Sequence, residues 1–181
     1  MPRLRNIVAV LALAAALSRL APHFPNATAI SALGLSSSAY LGKRTGIALT
    51  LGVMLATDFL IGFYDWRVMA SVYASFAFTA FLGSLISGKR SASAVAAVTF
   101  FSSAFFFLAT NAAVWAFSPW YEKTLAGFLY CLTMGIPFWR NMLLGDLIFV
   151  PLFFAVFELS RNPRIMRSLA SYFKTLHIAG S

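Results

Sequence analysis

Apolar residues in this chain come in long, nearly unbroken runs, each ended by a short polar or proline-bearing break. The first run, Asn6 to Leu20, closes at Ala21-Pro22-His23-Phe24-Pro25-Asn26, whose two prolines stop one helix and start another. The second, Thr28 to Leu41, covers only about 21 Å against a hydrocarbon core about 30 Å thick. It must be buried among other helices, thin the bilayer locally or be re-entrant. Thr45 to Gly62, Val68 to Ser87 and Ala92 to Ala113 form the third, fourth and fifth runs. A compact loop with Trp120, Tyr121, Glu122 and Lys123 then leads into Leu125 to Met134, which is too short to cross. Gly135-Ile136-Pro137 is expected to turn the chain into the last span, Phe138 to Leu159.

The predicted fold class is therefore all-α: a polytopic membrane bundle of about six transmembrane helices. Beyond Pro163, Ile165, Leu169, Tyr172 and Leu176 recur at helical spacing with Arg164, Arg167 and Lys174 to one side. That spacing predicts an amphipathic helix on the membrane surface. Residues 1–162 then make one transmembrane domain and residues 163–181 a cytoplasmic tail. The basic start and Ala14-Ala15-Ala16 also fit a cleaved signal peptide. Arg19 and the second run follow too closely for an ordinary mature amino terminus, so the first run is read as retained.

Composition agrees: 60% of the 181 residues are hydrophobic, 10% are charged and 19 are Phe. Mean hydropathy is +0.81. Such a surface belongs in lipid. Six spans of about 20 residues take up about 120 positions and leave no room for a separate soluble domain. Ten of the 14 basic residues lie at alternating breaks: Arg3 and Arg5; Lys43 and Arg44; Lys89 and Arg90; and Arg161, Arg164, Arg167 and Lys174. Short loops rich in Lys and Arg stay cytoplasmic, so both termini are expected inside a bacterial inner membrane. The net charge of +9 then faces anionic lipid headgroups, and no nucleic-acid partner is expected.

Catalytic signatures are missing. Gly83 to Arg90 nearly spells a phosphate-binding loop, but Arg90 replaces the magnesium-binding hydroxyl and an apolar span precedes it where a strand belongs. His23 and His177 fall on opposite predicted sides, and Cys131 adds no ligand spacing, so no metal site is expected. No nucleophile motif occurs, and the chain is not expected to be an enzyme or to carry a cofactor.

What remains is a set of polar residues in or beside the spans, where burial is costly. Asp58 lies near the outer end of the third span and Asn111 near that of the fifth. Arg140 and Asn141 open the last span, and Asp146 lies about 9 Å deeper than Arg140. Asn111 and Trp115, four apart, offer a hydrogen-bonding group beside a flat aromatic surface. Asp58, Asn111, Trp115, Arg140, Asn141 and Asp146 are the candidate ligand-binding residues, on the outer side. A plainer reading pairs Asp58 with Arg19 and Asp146 with Arg140 as neutralising contacts. Trp115, Trp120 and Tyr121 also fit interfacial anchors. Ala12 and Ala16 form a small-residue stripe on which another helix packs, inside the bundle or on a partner.

The run from Trp115 to Ile148, with Tyr121-Glu122-Lys123-Thr124-Leu125-Ala126-Gly127, Ile136-Pro137-Phe138-Trp139-Arg140-Asn141 and Leu144-Gly145-Asp146-Leu147, resembles a family of small uncharacterised bacterial membrane proteins. So do Pro25-Asn26-Ala27-Thr28, Asp58-Phe59-Leu60-Ile61-Gly62 and Tyr73-Ala74-Ser75-Phe76. That family is in turn similar to the substrate-binding S components of energy-coupling factor vitamin transporters. The resemblance implies six helices, capture of a small vitamin-like molecule from outside, and a first-helix stripe, here Ala12 and Ala16, facing an energy-coupling membrane protein with its ATPases. Some solitary members of this fold resemble cobalamin transporters with a cysteine near the start of the fourth helix. Here that region reads Val68-Met69-Ala70-Ser71-Val72, without it. The leading expectation is thus a solute-uptake protein, with cobalamin within the ligand class. Its rivals are a non-transporting scaffold or assembly subunit, and a proton-coupled carrier that titrates Asp58 or Asp146.

Overall fold

The computed structural model describes residues 2–22 and 24–161, so the amphipathic helix expected over 163–181 lies outside the described residues. Every regular element within them is helical: α1 (Pro2–Leu20), α2 (Ile30–Leu41), α3 (Lys43–Ile61), α4 (Trp66–Leu85), α5 (Ala92–Phe117) and α6 (Leu125–Arg161). Four of the six, α3 to α6, are long and apolar enough to cross a membrane. α1 carries Arg3, Arg5 and Arg19, and α2 has only 12 residues.

Burial explains how so short a helix is kept. Ten of its 12 residues, Ile30 to Ala39, are buried, so α2 is the central post of the bundle. Around it stand α3, α4 and α6 on three sides, with α1 touching its start. Of the fates open to a 21 Å segment, enclosure by protein is the one observed. Helices approach it closely because the facing residues are small. A Cβ at Gly46 would fall 2.6 Å from the Ser38 backbone nitrogen, and one at Gly83 would fall 2.3 Å from the Leu35 carbonyl oxygen. Three hydroxyls in this layer bond within their own helices: Ser36 donates to the Ala32 carbonyl at 2.6 Å, Thr50 to that of Gly46 at 2.8 Å and Thr79 to that of Ser75 at 3.0 Å. These three hydroxyls thus pack without stranding their hydrogens, as lipid-embedded helices require, whereas the buried Ser38 hydroxyl has no hydrogen-bond partner among the described residues.

Sharp reversals join the helices. Gly42 alone separates α2 from α3 at φ 91°, a region that favours glycine. Asp65 caps α4 by accepting from the Arg67 and Val68 amides at 2.9 and 3.3 Å, and Ser91 caps α5 through the Ala94 amide at 3.3 Å. One end of the bundle holds the 21–29, 62–65 and 118–124 connections. It is called the Arg19 end here, and the opposite end, with Gly42 and 86–91, the Arg90 end.

One sequence expectation is corrected. Gly135-Ile136-Pro137 does not turn the chain: Leu125 to Arg161 is one helix of 37 residues with Pro137 and Pro151 inside it. Each proline removes one helical hydrogen bond, but ending the helix inside an apolar bundle would strand several more backbone groups. Gly135 serves packing, since its Cα faces Asn111 so closely that a Cβ would meet Oδ1 at 2.4 Å. At 1.5 Å per residue α6 is about 55 Å long, well beyond a hydrocarbon core of about 30 Å.

Candidate functional site

At the Arg19 end, α1, α3 and α4 are tied by one polar network. The Arg19 guanidinium donates to Asp58 Oδ1 at 2.7 Å, to Thr57 Oγ1 at 2.6 Å and to the Met54 carbonyl at 3.3 Å. Tyr73 donates its hydroxyl to Asp58 Oδ2 at 2.6 Å, so both carboxylate oxygens are engaged. Asp58 is buried. Of the two neutralising pairs anticipated, Arg19 with Asp58 forms. The other does not: Arg140 is exposed on α6, while Asp146 is buried on a different face. Six residues along a helix turn a side chain by about 240°, which separates the two.

Beside this network lies a cavity of about 550 Å³. Its hydrogen-bonding wall is Arg19, Asn26, Thr28, Ser31 and Tyr64, and its apolar wall includes Met54, Phe76, Phe106 and Met142. Pro25, Asn26 and Thr28, in the connection between α1 and α2, line one side. Ser18 holds that connection, since its Oγ accepts from the Ala29 amide at 2.9 Å and donates to the Ala15 carbonyl at 2.7 Å. Asn26 sits at φ 66°, a left-handed conformation that asparagine tolerates. The phenol of Tyr64, in the 62–65 connection, is pushed above its usual pKa by burial first and by nearby Asp58 second, with Arg19 opposing. It therefore stays an O–H donor throughout the neutral range.

The six candidate residues do not converge on this cavity. Asp58 reaches it through Arg19, whose charge it neutralises. Asn111 spends its amide on the Phe107 carbonyl at 2.7 Å and packs against Gly135. Trp115 donates its indole N–H to the Glu122 carbonyl at 2.8 Å and meets Phe128 edge-on at 5.3 Å. Lys123 completes that corner, donating to the Ser118 carbonyl at 2.6 Å and to those of Trp115 and Tyr121. Trp115→Phe is accordingly expected to lower stability by about 0.5–1.5 kcal/mol, the worth of one such bond. Thermal unfolding of the purified variant checks this. Asn141 is half-buried on α6, and Asp146 lines a different groove, between α5 and α6. Ala12 and Ala16 are half-buried and Ala12 packs on the core, so α1 presents Val10, Leu13 and Leu17 outward.

Sequence reasoning missed Ser31, Tyr64 and Tyr73 as site residues. Tyr73 and the Asn26–Thr28 stretch stand within the motifs that carry the family resemblance, but nothing in their local pattern marks them as facing a cavity. Residues 2–169 match a protein family described as a family of unknown function (DUF6580). No curated protein and no solved structure matches the chain.

Proposed function

Because the chain belongs to DUF6580, a family of unknown function, its role has to be argued from its own geometry, and we propose that it captures a small solute at the membrane. The cavity beside Arg19 carries this reading. A volume of about 550 Å³ with a mixed polar and apolar wall suits a small organic molecule. With the Arg19 charge answered by Asp58, the wall favours a neutral or zwitterionic ligand bearing several hydrogen-bonding groups and an apolar body. A vitamin-like molecule fits that description, in line with the resemblance to S components. Cobalamin, with its much larger macrocycle, fits a cavity of this size poorly.

In this proposal the Arg90 end faces the cytoplasm. Lys43, Arg44, Lys89, Arg90 and Arg161 cluster there, whereas the Arg19 end has Arg19, Arg67 and Lys123, and Arg140 lies part-way along α6. The cavity then opens outward in the inner membrane, with all six helices embedded and residues 25–28 beside its mouth. The chain has no nucleotide motif, so uptake would draw on an energy-coupling membrane partner with ATPases. The proton-coupled reading draws support from Asp146, whose carboxylate oxygens are buried without a hydrogen-bond partner.

Thermal unfolding of the purified protein against a panel of vitamins and precursors tests capture. A ligand at 100 times its Kd should stabilise the fold by about 2.7 kcal/mol. Tyr64→Phe, which removes one hydroxyl from the rim, should weaken that ligand about threefold to tenfold. No stabilisation by any panel member would refute solute capture.

A further inference from the structure

A second concavity, of about 700 Å³, runs between α5 and α6 and shares no lining residue with the cavity beside Arg19. Val95, Ala96, Phe100, Leu147, Val150 and Phe154 make its walls. At the Arg90 end, its polar groups satisfy one another: Tyr40 donates to Glu158 Oε1 at 2.5 Å, and Arg90 Nε donates to the same oxygen at 3.3 Å. Asp146 lines the groove about 18 Å along α6 from Glu158.

That aspartate is unlike the other buried one. Its residue is 1% exposed, and neither carboxylate oxygen has a hydrogen-bond partner. The Ser31 hydroxyl on α2, which also lines the cavity beside Arg19, approaches it as a weak hydrogen-bonding neighbour. No cation among the described residues forms an ion pair with it, whereas Asp58 has Arg19. In an apolar bundle an ionisable side chain left this way marks a site where a partner is supplied from outside the chain.

We propose that the α5–α6 groove binds an apolar amine, with the ammonium on Asp146 and the hydrocarbon body along the groove walls. The bound pair is ammonium and carboxylate, which cancels both charges. A metal ion is a poorer match, because a hard cation needs several oxygen ligands and the remaining walls are mainly hydrocarbon. An anionic amphiphile could form no ion pair with the carboxyl. Ala96, Phe100, Leu147 and Ala155 are exposed along the groove, so an amine dissolved in the bilayer reaches it sideways. The groove and the cavity beside Arg19 share no lining residue, with Ser31 standing between Asp146 and that cavity.

The test compares 1-adamantylamine with 1-adamantanol, which share one apolar cage, on the full chain in lipid nanodiscs, with empty nanodiscs subtracted. Trp139 stands 6.1 Å from Phe100 and reports binding by fluorescence. The amine should produce a saturable change at a concentration at least tenfold below that of the alcohol. Asp146→Asn should abolish that preference and Asp146→Glu should keep it. Ala96→Trp, on an exposed position, should block both compounds while leaving the unfolding temperature unchanged. Equal half-saturation for the two compounds, or a preference that survives Asp146→Asn, overturns the proposal. Should Asp146→Asn fail to fold, Ala96→Trp decides: retained amine preference overturns the proposal and loss supports it. The vitamin panel reads the other cavity, so the failure of either proposal is distinguishable.

Discussion

Arg19→Met should destabilise the protein by about 3–5 kcal/mol, the largest effect expected of any single polar substitution here. The physical reason is what stays behind. Asp58 is 1% exposed and would retain its charge site with only Tyr73 to answer it. Single hydrogen bonds between membrane helices contribute well under 2 kcal/mol, so the loss of Arg19 bonds to Thr57 and Met54 cannot reach this size alone. An uncompensated buried charge can. The double variant Arg19→Met with Asp58→Leu should therefore recover most of the loss, because the desolvation of both charges disappears with the pair. Denaturant unfolding of the wild type, both single variants and the double variant measures the coupling. A double variant as weak as the sum of the singles would show that the ion pair is not what joins α1 to α3.

Gly83→Val is expected to disrupt the bundle itself. The first added carbon would lie 2.3 Å from the Leu35 carbonyl oxygen and 2.7 Å from its Cα. These are backbone atoms of the central helix, so no rotamer change relieves the overlap. Overpacking of this kind costs about 1–3 kcal/mol or more. Here the cost falls at the upper end, since α2 is enclosed and cannot step aside. Gly52 is the internal control. It lies in α3 with nothing within 4 Å of where a Cβ would sit, and Gly52→Ala should gain about 0.5–1 kcal/mol of helix stability. Circular dichroism melts of the two variants in one detergent give the comparison directly. Equal melting temperatures would mean that α2 and α4 can separate at this contact without cost.

Six helices and their order were legible because hydrophobic run length and proline-bearing breaks are local properties. The Arg19–Asp58 contact was also within reach, since both charges sit near the same ends of neighbouring runs and an unpaired charge in lipid is costly. Two features were not legible. The break expected at Gly135-Ile136-Pro137 follows the rules of water, where a broken helix finds new hydrogen-bond partners, and α6 instead continues through it. The grouping of Asp58, Asn111, Trp115, Arg140, Asn141 and Asp146 across different helices rested on similar depth, with helix-face spacing used only within one helix. Depth says nothing of azimuth, and the structure sends Arg140 outward, Asn111 and Trp115 into local hydrogen bonds, and Asp146 into a separate groove.

By itself, then, the amino-acid sequence determined that this chain is a bundle of apolar helices with its cations gathered at alternate connections, because those properties depend on which residues are neighbours along the chain. Only the tertiary structure decided that the shortest helix stands at the centre, that Ser31, Tyr64 and Arg19 share a cavity, and that one aspartate is paired while the other is not. Those outcomes depend on how each helix is rotated about its own axis, and that rotation is set by close packing of small residues across helices, which no single segment encodes alone.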